Sequence, residues 1–301
     1  MGGRSSPLYR EQGKYLLPLE RMIEGFLRED PPPKSQLAVP VLVAEEIFKQ
    51  GNHPNASPVL TATGQLGLIA FYYLLRVGEY TINRKNASNN QTRTEQFTVN
   101  DISFWKDEIL LNNDDRSAIL TAHEATMRLT NKKNGQKNGL IHHEANDNGD
   151  GLCPVRALAA RVSHILDNGG TQDMLLCSYW NGFRWDEITA ANIGDAIKLA
   201  VVTTGLHKKG ITPNDVGSHS LRAGGAMALK LNGISDTTIK KAGRWRSMAF
   251  LQYIHNQIGH LSAGVSKAMK TKVPFRNIGG VTKWKNGVRG LYNKTNYTQK
   301  N

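Results

Sequence analysis

The sequence predicts a mainly α protein with a small antiparallel β-sheet, an α+β fold. Three observations predict it. Apolar residues recur at helical spacing in segments bounded by breakers, among them 63–77, 154–166, 189–204 and 221–231. Between 97 and 144 the pattern changes to short strand-like runs around an Asn134-Gly135 turn signal. The 301 residues also suffice for a sizeable core, in one large domain or two smaller ones.

In chain order, Leu16–Arg28 reads as an amphipathic helix, followed by the stiff breaker Asp30-Pro-Pro-Pro33 and a second apolar segment, Val39–Phe48. Residues 1–55 are too short for a domain and read as the tail of something truncated or an arm packed on the main body. A buried helix is expected over Thr63–Val77, with Arg76 near its C-terminal end and Glu79 three residues on. The ordinary reading of that pair is a surface ion pair beside a helix terminus. Asn83–Thr94 is a polar loop. Ile102–Trp105 pairs with Ile109–Leu111, and Ala125–Thr130 with Gly139–His143 across the lysine-bearing tip Asn131–Lys137. That tip is either a solvated edge or a basic finger for a DNA groove. His142 and His143 point to opposite faces of their strand, which argues against a metal pair. Helices resume at Pro154–Leu166 and, after a short strand-like piece at Met174–Ser178 and a loop at Trp180–Trp185, at Thr189–Thr204.

The net charge is +13 and the pI about 9.7, which favours a polyanionic partner, most commonly nucleic acid. The surplus is uneven: the last acidic residue is Asp236, and 13 Lys or Arg follow it. The two cysteines, Cys153 and Cys177, lie in unlike contexts and make neither a disulfide scaffold nor a zinc motif. No signal peptide is visible and the longest apolar run, Leu66–Leu75, is too short to span a bilayer. A soluble, intracellular protein is expected.

The stretch Gly217–His255 carries the chemistry. His219 and Arg222, three apart, point to one side of the first turn of a helix over Leu221–Leu231. Asn232-Gly233 stops that helix, and Ser235-Asp236 caps a second one ending at Gly243. Arg244-Trp245-Arg246 follows, then Tyr253 on a third helix. A base, an arginine, an indole donor and a phenol with no acidic or cysteine cluster point to phosphate chemistry that needs no metal or cofactor.

The order of these residues resembles the tyrosine recombinase (phage integrase) family. The elements that carry the resemblance are Arg76 in LLRVGE, a lysine in NKKNGQK, His219 and Arg222 in SHSLRAGGA, Trp245 in AGRWRS and Tyr253 eight residues later. The likeness runs from about Pro58 to Gly259, and FYYLLRVGEYT resembles the branch found in eukaryotic mobile elements. It implies the catalytic-domain fold of that family over 56–262, with 1–55 as an N-terminal arm or remnant of a core-binding domain and 263–301 as a basic tail. The chain is then a fragment of a longer protein or a minimal recombinase. Location in a nucleus follows for a eukaryotic element, and in cytoplasm otherwise.

The resemblance implies a site-specific DNA recombinase or integrase that cleaves and rejoins strands through a 3′-phosphotyrosyl intermediate. Tyr253 is then the nucleophile, Arg76 and Arg222 hold the phosphate, and His219 takes the tyrosine proton. Lys133, with Lys132 as its rival, protonates the leaving oxygen, and Trp245 donates its indole N–H. Glu79 orients the arginines, and Lys132, Lys137, Arg244 and Arg246 contact DNA. The implied partners are double-stranded DNA and further copies of the chain, as a tetramer on two sites. A type IB topoisomerase-like enzyme and a non-cleaving domesticated DNA-binding protein are the alternatives. The former usually has lysine where His219 stands.

Overall fold

The computed structural model describes residues 36–82, 95–129, 139–146, 151–245, 247 and 251. At its centre is a helix over Pro58–Tyr72 that is buried on every side: each residue from Ala62 to Phe71 is out of solvent. Its sequence, PVLTATGQLGLIAFY, holds no charge, so no face prefers water and the helix is surrounded rather than laid on a surface. Numbering helices in chain order, this is α2. It packs against α1 (Val41–Gly51), α5 (Pro154–Asp167), α6 (Ala190–Thr203) and α7 (Ser220–Leu231).

Two close approaches set that packing. A Cβ at Gly51 would lie 2.7 Å from the Leu60 carbonyl, and one at Gly64 3.0 Å from the Ile47 carbonyl. Glycine at both positions lets α1 and α2 approach backbone to backbone. Val43, Ala44 and Ile47 of α1 are buried as a result. Residues 41–51, within the segment that the sequence reads as an N-terminal arm, pack against this core. By its contacts the chain divides into Met1–Ser247 and Met248–Asn301.

The sheet is antiparallel with order β2-β1-β3-β4, where β1 is Ile102–Lys106, β2 Ile109–Leu110, β3 Glu124–Leu129 and β4 Gly139–Glu144. The expected pairings are present, with Trp105 opposite Leu110 and Ala125 opposite His143. Asp107 and Glu108 join β1 to β2 with φ of 52° and 65°, the left-handed pair that a tight hairpin turn demands. A short helix α4, Arg116–Leu120, precedes β3. The sheet is tied to the helical core through Tyr73, whose hydroxyl donates to the Ala125 carbonyl at 3.4 Å and whose ring meets His143 edge-on at 4.5 Å.

Residues 180–185, expected as a loop, turn a second hairpin between β5 (Ser178–Trp180) and β6 (Trp185–Glu187). Asn181 organises its tip, accepting from the Phe183 and Arg184 amides at 2.9 and 3.0 Å. The strand-like piece read at 174–178 reduces to a bridge between Leu175 and Thr98, then β5. No helix among the described residues is long and apolar enough to cross a membrane. The expected helix over 16–28, the loop 83–94, the tip 131–137, the helix bearing Tyr253 and the tail 263–301 lie outside the described residues.

Candidate active site

The site begins where α2 ends. The apolar run continues through Tyr73-Leu74-Leu75, and the sequence therefore predicts helix to Val77; the backbone instead leaves it at Tyr73. Leu74 takes a left-handed φ of 49°, and the Leu75 amide closes back on the Ala70 carbonyl at 3.0 Å. This elbow delivers Arg76 to the N-cap of a new short helix, α3 (Val77–Tyr80). Arg76 is therefore not at a helix C-terminus as expected. Glu79, at the third position of α3, accepts from the Arg76 amide at 2.8 Å and from Arg76 Nη1 at 3.2 Å. The carboxylate is fully buried, so this is not the surface ion pair of the ordinary reading.

The second component is the turn that follows α8 (Asp236–Ala242). Ser235 caps α8 through the Thr238 amide at 3.2 Å, as the sequence predicts, and Gly243 ends it. Arg244 then takes φ 58° and sends its side chain inward. Its Nη2 donates to Glu79 Oε2 and to the Leu74 carbonyl, both at 2.9 Å, and Nη1 to the Tyr73 carbonyl at 3.4 Å. Burial lowers the pKa of this guanidinium, opposed by the Glu79 carboxylate and reinforced by the charge on Arg76. Arg244, expected to contact DNA, is only 6% exposed and is spent on the interior. The reason is the buried Glu79 carboxylate, which would otherwise face Arg76 alone.

The third component is the start of α7. Gly225 brings α7 onto α2 and Gly224 seats it against the segment before α1, since a Cβ would overlap the Phe71 carbonyl at the first and the Val39 carbonyl at the second. These contacts place Arg222 under the elbow. Its guanidinium is buried, donating through Nη1 to the Leu74 carbonyl and through Nη2 to the Gly243 carbonyl. The ring of Trp245 lies over it, 4.4 Å from centroid to guanidinium carbon, a cation–π geometry. The same ring covers Gly243, where a Cβ would collide with it. Arg76 closes the circuit, donating through Nη2 to the Arg244 carbonyl at 3.3 Å.

His219 is the N-cap residue of α7, exposed, one turn before Arg222. Its amide donates to Gln36 Oε1 at 3.0 Å, so the segment before α1 fixes the backbone that presents the imidazole. The structure thus brings Arg76, Glu79, Arg222, Arg244 and Trp245 into one connected cluster, with His219 at the start of the helix that bears Arg222. Lys132, Lys133, Lys137, Arg246 and Tyr253 lie outside the described residues. Two guanidiniums, Arg76 and Arg244, share the Glu79 carboxylate, and the buried Arg222 guanidinium lies on the same turn, a concentration of positive charge suited to an anion. Among the described residues no group of His, Cys, Asp and Glu is arranged to hold a metal ion. Cys153 and Cys177 are buried and unbridged, with the Cys177 thiol pushed up to about 12 by burial.

Sequence reasoning missed the scaffold beneath these side chains: the carbonyls of Tyr73, Leu74 and Gly243, and Gln36. Backbone acceptors have no residue signature.

No family model matches the chain, and no curated protein matches it. Solved structures do resemble it. A crystal structure of XerA recombinase shares 14% identity over 81% of this chain and 67% of its own, with a TM-score of 0.45. XerH site-specific recombinase bound to palindromic difH substrate, in a post-cleavage complex, shares 14% over 79% and 54%, with a TM-score of 0.48. The Tn1549 transposon integrase in complex with transposon right end DNA shares 13% over 80% and 67%, with a TM-score of 0.41. The chain thus spans 54 to 67% of the lengths of these structures. At such identities and TM-scores, what bears on function is the cluster itself.

Proposed function

We propose that the chain cleaves and rejoins DNA strands through a covalent 3′-phosphotyrosyl intermediate, as a recombinase or integrase of the tyrosine recombinase type. One observation carries the reading. Arg76 and Arg222, 146 positions apart in the chain, converge on the two carbonyls of one turn, Gly243-Arg244, and the next residue, Trp245, covers Arg222. Such convergence of side chains singled out by their order in the sequence is what a phosphate-binding cluster requires.

In this reading the Tyr253 oxygen attacks phosphorus, the bond to the 5′-oxygen breaks, and the strand ends in a free 5′-hydroxyl. The tyrosine proton passes to His219, needed because a phenol near pKa 10 is a poor nucleophile until deprotonated. Lys133, or Lys132 in its place, returns a proton to the leaving oxygen. Arg76, Arg222 and the Trp245 indole face the non-bridging oxygens, where charge grows in the transition state. The phosphotyrosyl bond conserves the energy of the broken bond, so rejoining is the same step reversed.

Lys132, Lys137 and Arg246 are assigned to the DNA backbone, where they supply salt-sensitive affinity without sequence information. Assembly is as a tetramer on two duplexes. Residues 56–262 form the catalytic portion, with α1 packed into it, and 263–301 a basic tail. The protein acts inside the cell, in a nucleus if it derives from a eukaryotic mobile element.

The test is covalent trapping. Duplexes nicked near candidate sites, drawn from sequence flanking the gene and from a randomised pool, are incubated with wild type and with Tyr253→Phe. A denaturing gel that shows an adduct only with wild type supports the reading. Binding without an adduct across the pool at low salt refutes it in favour of a non-cleaving DNA-binding protein.

A further inference from the structure

The turn at 243–245 carries a side chain that the proposed chemistry does not use. Arg244 is buried and holds a left-handed φ of 58° without being glycine, a conformation that persists only where the surroundings over-determine it. The helix end accounts for part of this, the Arg244 and Trp245 amides closing back on the Lys241 and Lys240 carbonyls at 3.0 Å, and the side-chain bonds of Arg244 supply the rest. Those side-chain bonds run to Glu79 and to the carbonyls of Tyr73 and Leu74, all on the elbow that presents Arg76. The backbone of the same turn faces the other way: the Arg244 carbonyl accepts from Arg76, and the Gly243 carbonyl from Arg222. One residue therefore pins the elbow with its side chain while its own carbonyl and its neighbour's hold both arginines.

Glu79 adds a charge argument. Its Oε2 accepts from both Arg244 Nη2 and the Arg76 amide, and its Oε1 from Arg76 Nη1. With Arg244 in place the carboxylate is divided between two guanidiniums. Without Arg244, both oxygens would fall to Arg76 and draw its guanidinium into the interior, away from any phosphate.

We propose that Arg244 is a positioning residue: it neutralises part of Glu79 and locks the 243–245 turn, so that Arg76 and Arg222 are held ready for one phosphate. The inference rests on the reading of Arg76 and Arg222 as phosphate ligands. It assigns Arg244 no contact with DNA.

The full chain tests this with three variants, Arg244→Met, Arg244→Lys and Arg244→Met combined with Glu79→Gln, on a nicked duplex that wild type converts to adduct. Misplacing a catalytic group by about 1 Å costs on the order of 100-fold in rate. Arg244→Met is expected to lose about that much in adduct formation at saturating DNA, while affinity for the duplex stays within a few-fold. Arg244→Lys, which keeps charge beside Glu79 but not the fork, falls between. Adding Glu79→Gln to Arg244→Met releases Arg76 and recovers part of the rate, which a merely damaged fold would not do.

A wild-type rate in Arg244→Met, an equal loss of rate and affinity, or a double variant slower than the single one overturns the proposal. If Arg244→Met does not fold, Arg244→Lys carries the comparison. If wild type itself forms no adduct, the catalytic reading falls, and phenylglyoxal labelling of Arg222, read by peptide mass, decides the role of Arg244 alone. Faster labelling in Arg244→Lys than in wild type supports the lock, and equal labelling overturns it.

Discussion

Glu79 Oε2 lies 2.9 Å from Arg244 Nη2 while Glu79 Oε1 lies 3.2 Å from Arg76 Nη1, and the carboxylate that joins the two arginines is fully buried. A charge buried this way is tolerated only while paired, because removing one partner leaves the other desolvated and uncompensated. Glu79→Ala is therefore expected to destabilise the fold by roughly 3–5 kcal/mol, measured as the shift in a urea unfolding curve. Glu79→Gln keeps an acceptor for Arg244 and the Arg76 amide and is expected to cost less. Equal stability of Glu79→Ala and wild type would mean that the carboxylate does not hold the elbow.

Gly225→Ala probes the contact between α7 and α2. In a helix interior the change alone favours the fold by about 1 kcal/mol through propensity. Here the new methyl meets the Phe71 carbonyl and a Leu74 methyl, and a backbone carbonyl cannot move aside by a rotamer change. Overpacking of this kind costs roughly 1–3 kcal/mol, so a net loss is expected in the same unfolding assay. The strain falls on Leu74, whose carbonyl accepts from both Arg222 and Arg244, so adduct formation should fall further than stability does.

His164 gives the fold an acid-sensitive joint. Burial, with the neighbouring Arg161 charge adding to it and Asp167 opposing, lowers its pKa from 6.5 to about 4. Its Nε2 accepts the Trp180 amide at 3.0 Å, anchoring the β5–β6 hairpin, and a protonated ring cannot accept there. The unfolded chain binds this proton more readily than the folded one. The stabilising contribution is therefore complete above pH 6.5 and is lost as pH falls through the window from about 6.5 to 4. His143, lowered by burial, acts in the same direction. Thermal midpoints should decline across that window, and the decline should flatten in His164→Gln. An equally steep profile in the variant would assign the acid sensitivity elsewhere.

How much of this was legible in the sequence depended on whether the signal was local. The limits of α7 and α8 are written in Asn232-Gly233 and Ser235-Asp236, and both helices end and begin there. The end of α2 is not, because Leu74 and Leu75 continue the apolar pattern and only tertiary packing turns Leu74 left-handed. The β5–β6 hairpin had a signal that went unread: Asn181-Gly182 between two tryptophans. Arg244 could not be read correctly, since an arginine beside a tryptophan in a basic chain resembles a surface contact until the buried carboxylate is seen.

Arg222→Lys separates charge from geometry. A lysine keeps the cation but cannot bridge the Leu74 and Gly243 carbonyls or present a planar face to Trp245. Loss of one preorganised donor at a transition state costs roughly 100- to 1,000-fold in rate. Adduct formation should drop by about that factor, with salt-dependent duplex affinity little changed. A rate equal to wild type would show that charge alone suffices at this position.

The most direct measurement is the identity of the residue that bears the DNA. The trapped complex is digested with nuclease and then trypsin, and the peptide Ser247–Lys267, which contains Tyr253, is examined by mass spectrometry. The account predicts a nucleotide remnant linked through phosphate to Tyr253. The remnant on any other residue, or that peptide always unmodified while adduct is present on the gel, would contradict it.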